Sequence, residues 1–232
     1  MDTERIEEWA RIKKEDVPKY LIVDCAWPWK RNINDAAYYI RNPVAHPRWT
    51  FPFFGYHPKL PKVKVGYNVV FGSSMATQLY FYLKLGVKYV FQTGTIGSIQ
   101  DKVKICDLVI PKTCLKFDWV SQQFHSPKTV SCDNKLLNTV KNSLDQLKFK
   151  NYHIGKTVSV ATNWIETPER EKKWISSGML GIDEETATVY SICKAFDVKP
   201  IALLRVMDAH RKGQEMGKRA YDERDKKKLE IK

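Results

Sequence analysis

Three consecutive acids, Asp183, Glu184 and Glu185, stand between an apolar approach (Met179, Leu180, Ile182) and an apolar helical run (Ala187, Val189, Tyr190, Ile192, Cys193, Phe196). Adjacent carboxylates repel one another and are costly to desolvate, so a purely structural core avoids them. Two readings follow. One is a solvated turn that caps a helix, with Asp183 near the N-cap and acids favoured by the helix dipole. The other is a carboxylate cluster that grips hydroxyls, as a sugar site requires. Further groups with chemical potential recur after apolar runs. Lys30 and Arg31 follow one such run, Gln92-Thr93-Gly94-Thr95-Ile96-Gly97-Ser98 ends another, and Asp208 closes a third. Two cations before a helix, and two glycines and two hydroxyls after a buried strand, suit close approach to an anion. Trp164 offers an aromatic plate. Brought to one place, these groups suit cleavage of a glycosidic bond to a base. Each has a plainer reading: Lys30 and Arg31 simply exposed, Gly94-Thr95 an ordinary turn, Trp164 and Met75 core, Asp208 a helix cap.

The elements that must position these groups alternate. Residues 1–16 read as an amphipathic helix with Ile6, Trp9, Ala10 and Ile12 on its apolar face, stopped by Val17-Pro18. Tyr20–Val23 reads as a buried strand, Asp24–Arg31 as a loop and Asn32–Ile40 as a helix. Residues 41–62 are rich in proline and aromatics, which predicts a long ordered loop with no regular element. A strand over Val63–Phe71, a helix over Met75–Leu85 capped by Gly86, and a strand over Val87–Phe91 follow. Cys106–Pro111 reads as a strand and residues 113–131 as irregular. Lys135–Leu147 is helical in spacing and Ile154–Ala161 a strand. Pro168–Ser177 is a helix capped by Thr167, with proline at its first position. The acidic stretch leads a helix to Phe196, and Pro200–Met207 is the last strand. The expected fold is therefore α/β in a single domain over 1–232, a central mixed twisted sheet flanked by helices. A charged tail over 209–232 follows the last strand.

Bulk properties narrow the function classes. An apolar fraction of 43% is ample for a core, which argues against disorder. No run approaches the roughly 20 apolar residues of a membrane span. The charged start lacks the apolar core of a signal peptide. Five cysteines with no CxxC pair fit reduced thiols in a cytoplasm better than a disulfide framework or a metal site. The net charge of +13 admits nucleic-acid binding or an anionic substrate. The basic residues are spread along the chain without a nucleic-acid-binding signature, so nucleic acid is the lesser reading.

Five segments, in order, resemble the nucleoside phosphorylase and nucleosidase superfamily, the branch holding purine nucleoside phosphorylase, uridine phosphorylase and methylthioadenosine nucleosidase. Val17–Val23 with Pro28 and Lys30/Arg31 looks like the family's opening strand and Gly-Asp-Pro-x-Arg phosphate loop. Gly86–Ser98 resembles the segment ending Gly-Thr-x-Gly-Ser, and Cys106–Pro111 the strand after it. Ile182–Ala187 is similar to Val-Glu-Met-Glu-x-Ala, and Leu204–Asp208 to the purine-type Val-Ser-Asp ending. The resemblance covers about residues 17–212. It implies phosphorolysis of a purine nucleoside, with phosphate as co-substrate and no other cofactor. Glu185 matches the glutamate that bonds the ribose hydroxyls, with Asp183 and Glu184 beside it in the substrate site. Asp208 matches the acid that assists departure of the base. Gly94 and Thr95, with Lys30 and Arg31, match phosphate-binding positions, and Arg48 the phosphate arginine that a neighbouring subunit lends in some members. Trp164 falls near the family's base-stacking aromatic, and Met75 near the ribose. The resemblance also implies a homo-oligomer, dimer or hexamer, with loop 49–56 suited to the interface.

The chain departs from the family at three places. Ala26-Trp27-Pro28 replaces Gly-Asp-Pro, Gln92 stands where phosphorylases carry an arginine, and Glu184 replaces a methionine. These departures keep two alternatives open. One is a hydrolytic nucleosidase with water activated by Asp24 or Glu184. The other is a nucleoside-binding protein without turnover.

Overall fold

A computed structural model describes residues 2–10, 13–25, 41–45, 53–57, 59–69, 75–124 and 127–209. Its centre is a ten-stranded mixed sheet. The strands are β1 (Tyr20–Cys25), β2 (Arg41–Ala45), β3 (Phe53–His57), β4 (Leu60–Val69), β5 (Tyr89–Ser98), β6 (Leu108–Phe117), β7 (Thr129–Ser131), β8 (Tyr152–Val160), β9 (Met179–Asp183) and β10 (Lys199–Ala209). The helices are α1 (Thr3–Ala10), α2 (Met75–Leu85), α3 (Trp119–Gln122), α4 (Asn134–Gln146), α5 (Pro168–Ser176) and α6 (Thr186–Ala195), with 3-10 turns at Lys14–Asp16 and Asn163–Ile165. The main strand order is β10-β6-β8-β9-β5-β1-β4-β3-β2, and β10 also pairs with β5. Strands β5, β10, β6, β8 and β9 therefore close into a ring, and β1, β4, β3 and β2 extend from it. Local periodicity predicts the mixed sheet but carries no sign of this closure.

Capping explains several boundaries. Thr167 accepts the Arg170 N–H at 3.4 Å ahead of Pro168, and Asp133 accepts that of Leu136 at 2.9 Å at the start of α4. Gly86 ends α2 at φ +119°, a conformation that a side chain would oppose. Helix α6 is buried on every side from Thr186 to Cys193. Tyr190 pins it, donating to the Pro111 carbonyl and accepting the Ala202 N–H, both at 2.9 Å. One hydroxyl thus ties α6 to β6 and β10.

The structure corrects several expectations. The proline-rich stretch is not wholly irregular, since β2, β3 and the start of β4 form an antiparallel edge there. Proline lacks the donor that an inner strand needs, but β2 is the outermost strand. Its register with β3 slips between Arg41 and Ala45, the interval that holds Pro43. Segment 113–131 likewise gives the second half of β6, short α3 and β7. Asp24 and Cys25 belong to β1 rather than to a loop, and Gln92–Ser98 lies inside β5. The first helix ends at Ala10, with Lys14–Asp16 a separate turn. The expected helix Asn32–Ile40 and the tail from residue 210 lie outside the described residues. Among the described residues no helix is long and apolar enough to cross a membrane.

Candidate active site

One edge of β5 changes partner midway. It pairs with parallel β1 from Tyr89 to Gly94, then with antiparallel β9 at Gly97 and Ser98. The end of β1 and the end of β9 therefore point toward each other across Thr95 and Ile96. Such a reversal leaves a crevice at the carboxyl ends of strands, where α/β folds place ligands. The acidic stretch leaves β9 into this crevice and enters α6. The other edge of β5 is paired with β10 from Tyr89 to Ser98.

The three acids differ in environment. Asp183 is buried and bonded to the hydroxyls of Ser159 and Thr186, and it accepts the Thr186 N–H at 3.0 Å. Burial raises its pKa from the ordinary 3.8 to about 6, against the lowering effect of those donors. It holds the start of α6. Glu184 is half-buried and accepts the Asn163 N–H at 3.1 Å, and burial raises its pKa despite that bond. Glu185 is the N-cap residue of α6, yet its side chain makes no capping bond. It is buried close to Cys25, whose thiol is pushed up first by burial and then by the carboxylates of Glu185, Asp24 and Asp183. Glu185 and Asp24 thus converge on the end of β1. This concentration of carboxylate favours hydroxyls and developing positive charge.

Gly94 and Thr95 lie in the crevice on β5. The glycine has a packing reason, because a Cβ there would sit 3.1 Å from the Cys25 carbonyl oxygen. Gln92 is wholly buried two residues earlier, and neither of its amide atoms has a hydrogen-bond partner. Asp208 is paired beside Gly97, inside β10 rather than beyond it. Cys25, which Glu185 neighbours, pairs with Gly94, and Asp208 pairs with Gly97, three residues further along β5.

The other expected site residues are placed differently. Met75 is wholly buried in the main core at the first position of α2. Trp164 is 89% exposed, so it is not core. It follows Asn163, whose N–H ties that turn to Glu184. Lys30, Arg31 and Arg48, with Ala26, Trp27 and Pro28, lie outside the described residues. Among the described residues no group of three or more His, Cys, Asp or Glu side chains is placed to hold a metal ion.

Sequence reasoning missed the support beneath the acids. Ser159 bonds Asp183 and accepts the Ala187 N–H at 2.8 Å. It lies far from the acids in sequence, so no local pattern points to it. The Asp183–Thr186 spacing is a legible capping signal.

The model of the phosphorylase superfamily matches residues 63–230, and the chain belongs to that family. Among its relatives, the purine nucleoside phosphorylase DeoD-type of Colwellia psychrerythraea is 28% identical over 144 residues, covering 61% of this chain and 60% of that protein. The enzyme of the same name from Buchnera aphidicola is 24% identical over 177 residues, 73% of each chain. The chain thus spans about 60% of the length of the first of these relatives. A crystal structure of uridine phosphorylase from Vibrio fischeri superposes with a TM-score of 0.78 at 17% identity, covering 94% of this chain and 87% of that one. That likeness shows the shared fold.

Proposed function

We propose that this chain cleaves the N-glycosidic bond of a purine nucleoside with phosphate, releasing the base and a pentose 1-phosphate. The observation that carries this reading is the placement along β5 of buried Glu185 close to Cys25, the residue paired with Gly94, and of Asp208 beside Gly97. The names of the relatives support nucleoside and phosphate as substrates, and those of the sequence relatives support purine.

In this reading ionised Glu185 accepts hydrogen bonds from the ribose hydroxyls. Its charge lowers the energy of the sugar as it becomes cationic in the transition state. Thr95 and neighbouring backbone amides hold phosphate below the anomeric carbon, with cations from the segment that includes Lys30, Arg31 and Arg48. Asp208 gives a proton or hydrogen bond to the purine ring nitrogen as the bond breaks. Asp183 holds the start of α6, and so the position of Glu185, without touching substrate. Trp164 covers the base from the exposed side. The working form is a homo-oligomer that acts in the cytoplasm.

Hydrolysis is the second reading, and Gln92 favours it. A buried amide with both atoms unpartnered is costly, and a bound water relieves that cost without a counter-charge. Buried Asp24, or half-buried Glu184, is then the base that activates water.

The deciding assay measures free base released from purine and pyrimidine nucleosides with and without phosphate. Release that requires phosphate, with pentose 1-phosphate as product, is expected. Equal release in phosphate-free buffer replaces phosphorolysis with hydrolysis. No release from folded protein removes both and leaves a binding role.

A further inference from the structure

Val206 is the last residue of β10 held in register on both edges. On one edge it pairs with Ile96 of β5. On the other it meets the turn before β6, where the Cys106 N–H donates to the Val206 carbonyl and the Val206 N–H donates to the Asp107 carbonyl, each at 2.9 Å. Immediately afterwards β10 bulges. Met207 is skipped and Asp208 pairs with Gly97. Side chains alternate along a strand, so a slip of one residue would put Met207 beside Gly97 and turn Asp208 to the opposite face. The bulge therefore decides which of the two residues lies beside Gly97.

The turn that grips Val206 is itself held. Cys106 takes φ +73°, a left-handed conformation that a side chain opposes, and this must be stabilised by its surroundings. The Asp107 carboxylate supplies two contacts. Its Oδ2 accepts the Lys104 N–H at 2.9 Å and the Nε2–H of His153 at 2.8 Å. His153 lies on β8, paired with Val109 of β6, so it fixes the turn from a strand of the closed ring. Asp107 is buried and His153 partly so.

We propose that Asp107 and His153 are positioning residues for Asp208. Their hydrogen bond locks the turn that clamps Val206, and the clamp sets the bulge that presents Asp208 rather than Met207 beside Gly97. This inference rests on the reading that Asp208 acts on the leaving base. It adds two residues that touch neither substrate nor phosphate.

The test is His153→Leu, with His153→Gln as the variant that restores an N–H donor. Purine nucleoside cleavage is measured as kcat and KM, and the Asp208 side-chain carboxyl is titrated by 13C NMR in each protein. For His153→Leu a fall in kcat of about tenfold or more is expected, because a displaced general acid loses part of its contribution. KM should change far less, the Asp208 titration should move, and His153→Gln should recover most of both. Folded His153→Leu with unchanged kcat and an unchanged Asp208 titration overturns the proposal. If the natural chain turns over no nucleoside, the functional reading fails. The Asp208 titration alone then decides the clamp, a shift supporting it and no shift overturning it. Should His153→Leu fail to fold, Asp107→Asn, which keeps the shape of the side chain, takes its place under the same outcomes.

Discussion

Asp183, the last residue of β9, accepts the backbone N–H of Thr186, the first of α6, at 3.0 Å, and so holds that helix start from inside the protein. Carboxylates at helix starts ordinarily sit in water, and this one does not. Burial raises the Asp183 pKa from 3.8 to about 6, so between those values the folded chain holds a proton that the unfolded chain has released. The sign follows by linkage. The contribution is fully present below about pH 4 and is lost as pH rises through about 6. Its size is at most about 3 kcal/mol, because each tenfold change in proton affinity is worth about 1.4 kcal/mol. Asp183→Asn cannot titrate, and its unfolding free energy between about pH 4 and 6.5 should be flatter than that of the natural chain. Urea unfolding at stepped pH measures this, and equal slopes in the two proteins refute it.

Tyr190 is a second internal fastening. Replacing it with Phe leaves the buried Ala202 N–H without its acceptor and the Pro111 carbonyl without this donor. An unpaired buried group costs about 1–3 kcal/mol, so Tyr190→Phe should lower stability by about that amount while keeping the fold. A change below about 0.5 kcal/mol in urea unfolding would mean that water replaces the hydroxyl.

These two fastenings mark how far the sequence can be read. Helices α2 and α5 are legible because their boundaries are written locally, in Gly86 and in Thr167-Pro168. The acids and Asp208 are legible as candidates because residue type and order carry them. Which acid faces a ligand is not legible, since Ser159 lies far from Asp183 in the chain. The partner change along β5 and the closure of β10 onto it are relations between distant strands, which no local period encodes. The proline-rich edge misleads for another reason. Proline excludes a strand only where its missing donor is needed, and position in the sheet decides that.

Glu185→Gln tests the division of labour among the acids. It keeps shape and burial but removes the charge proposed to favour a cationic sugar. A loss in kcat of about a hundredfold is expected, the scale of a removed electrostatic contact in a transition state. Glu184→Gln keeps an oxygen for the Asn163 N–H and should lose less than about tenfold. Steady-state kinetics on one nucleoside compares them, and a larger loss at Glu184 would exchange the two roles.

Asp208→Asn separates base chemistry from sugar binding. The amide cannot supply the carboxyl proton, so purine cleavage should slow by about a hundredfold or more. Nucleoside binding, measured by calorimetry, should persist, because the proposed sugar contacts are those of Glu185. Equal rates in the two proteins would take Asp208 out of the chemistry, and with it the need for a bulge.

Gly181 is where fold and site meet. It lies on β9 opposite Ser98, and a Cβ there would fall 2.5 Å from the Gly97 carbonyl oxygen and 2.9 Å from Ile96 Cγ1. The oxygen belongs to backbone paired on its other edge with β10, so it cannot yield as a side-chain tip would. Gly181→Ala must move β9, and β9 leads within four residues to Glu185. A stability loss of about 3 kcal/mol, the upper range for overpacking, is expected together with a large loss of activity. Gly178→Ala is the control. Gly178 has φ +75°, but nothing lies within 4 Å of an added Cβ, so the substitution strains only the backbone. It should cost about 1 kcal/mol and leave kcat unchanged. If both variants lose stability equally and neither loses activity, β9 does not transmit position to Glu185, and the crevice is set from α6 instead.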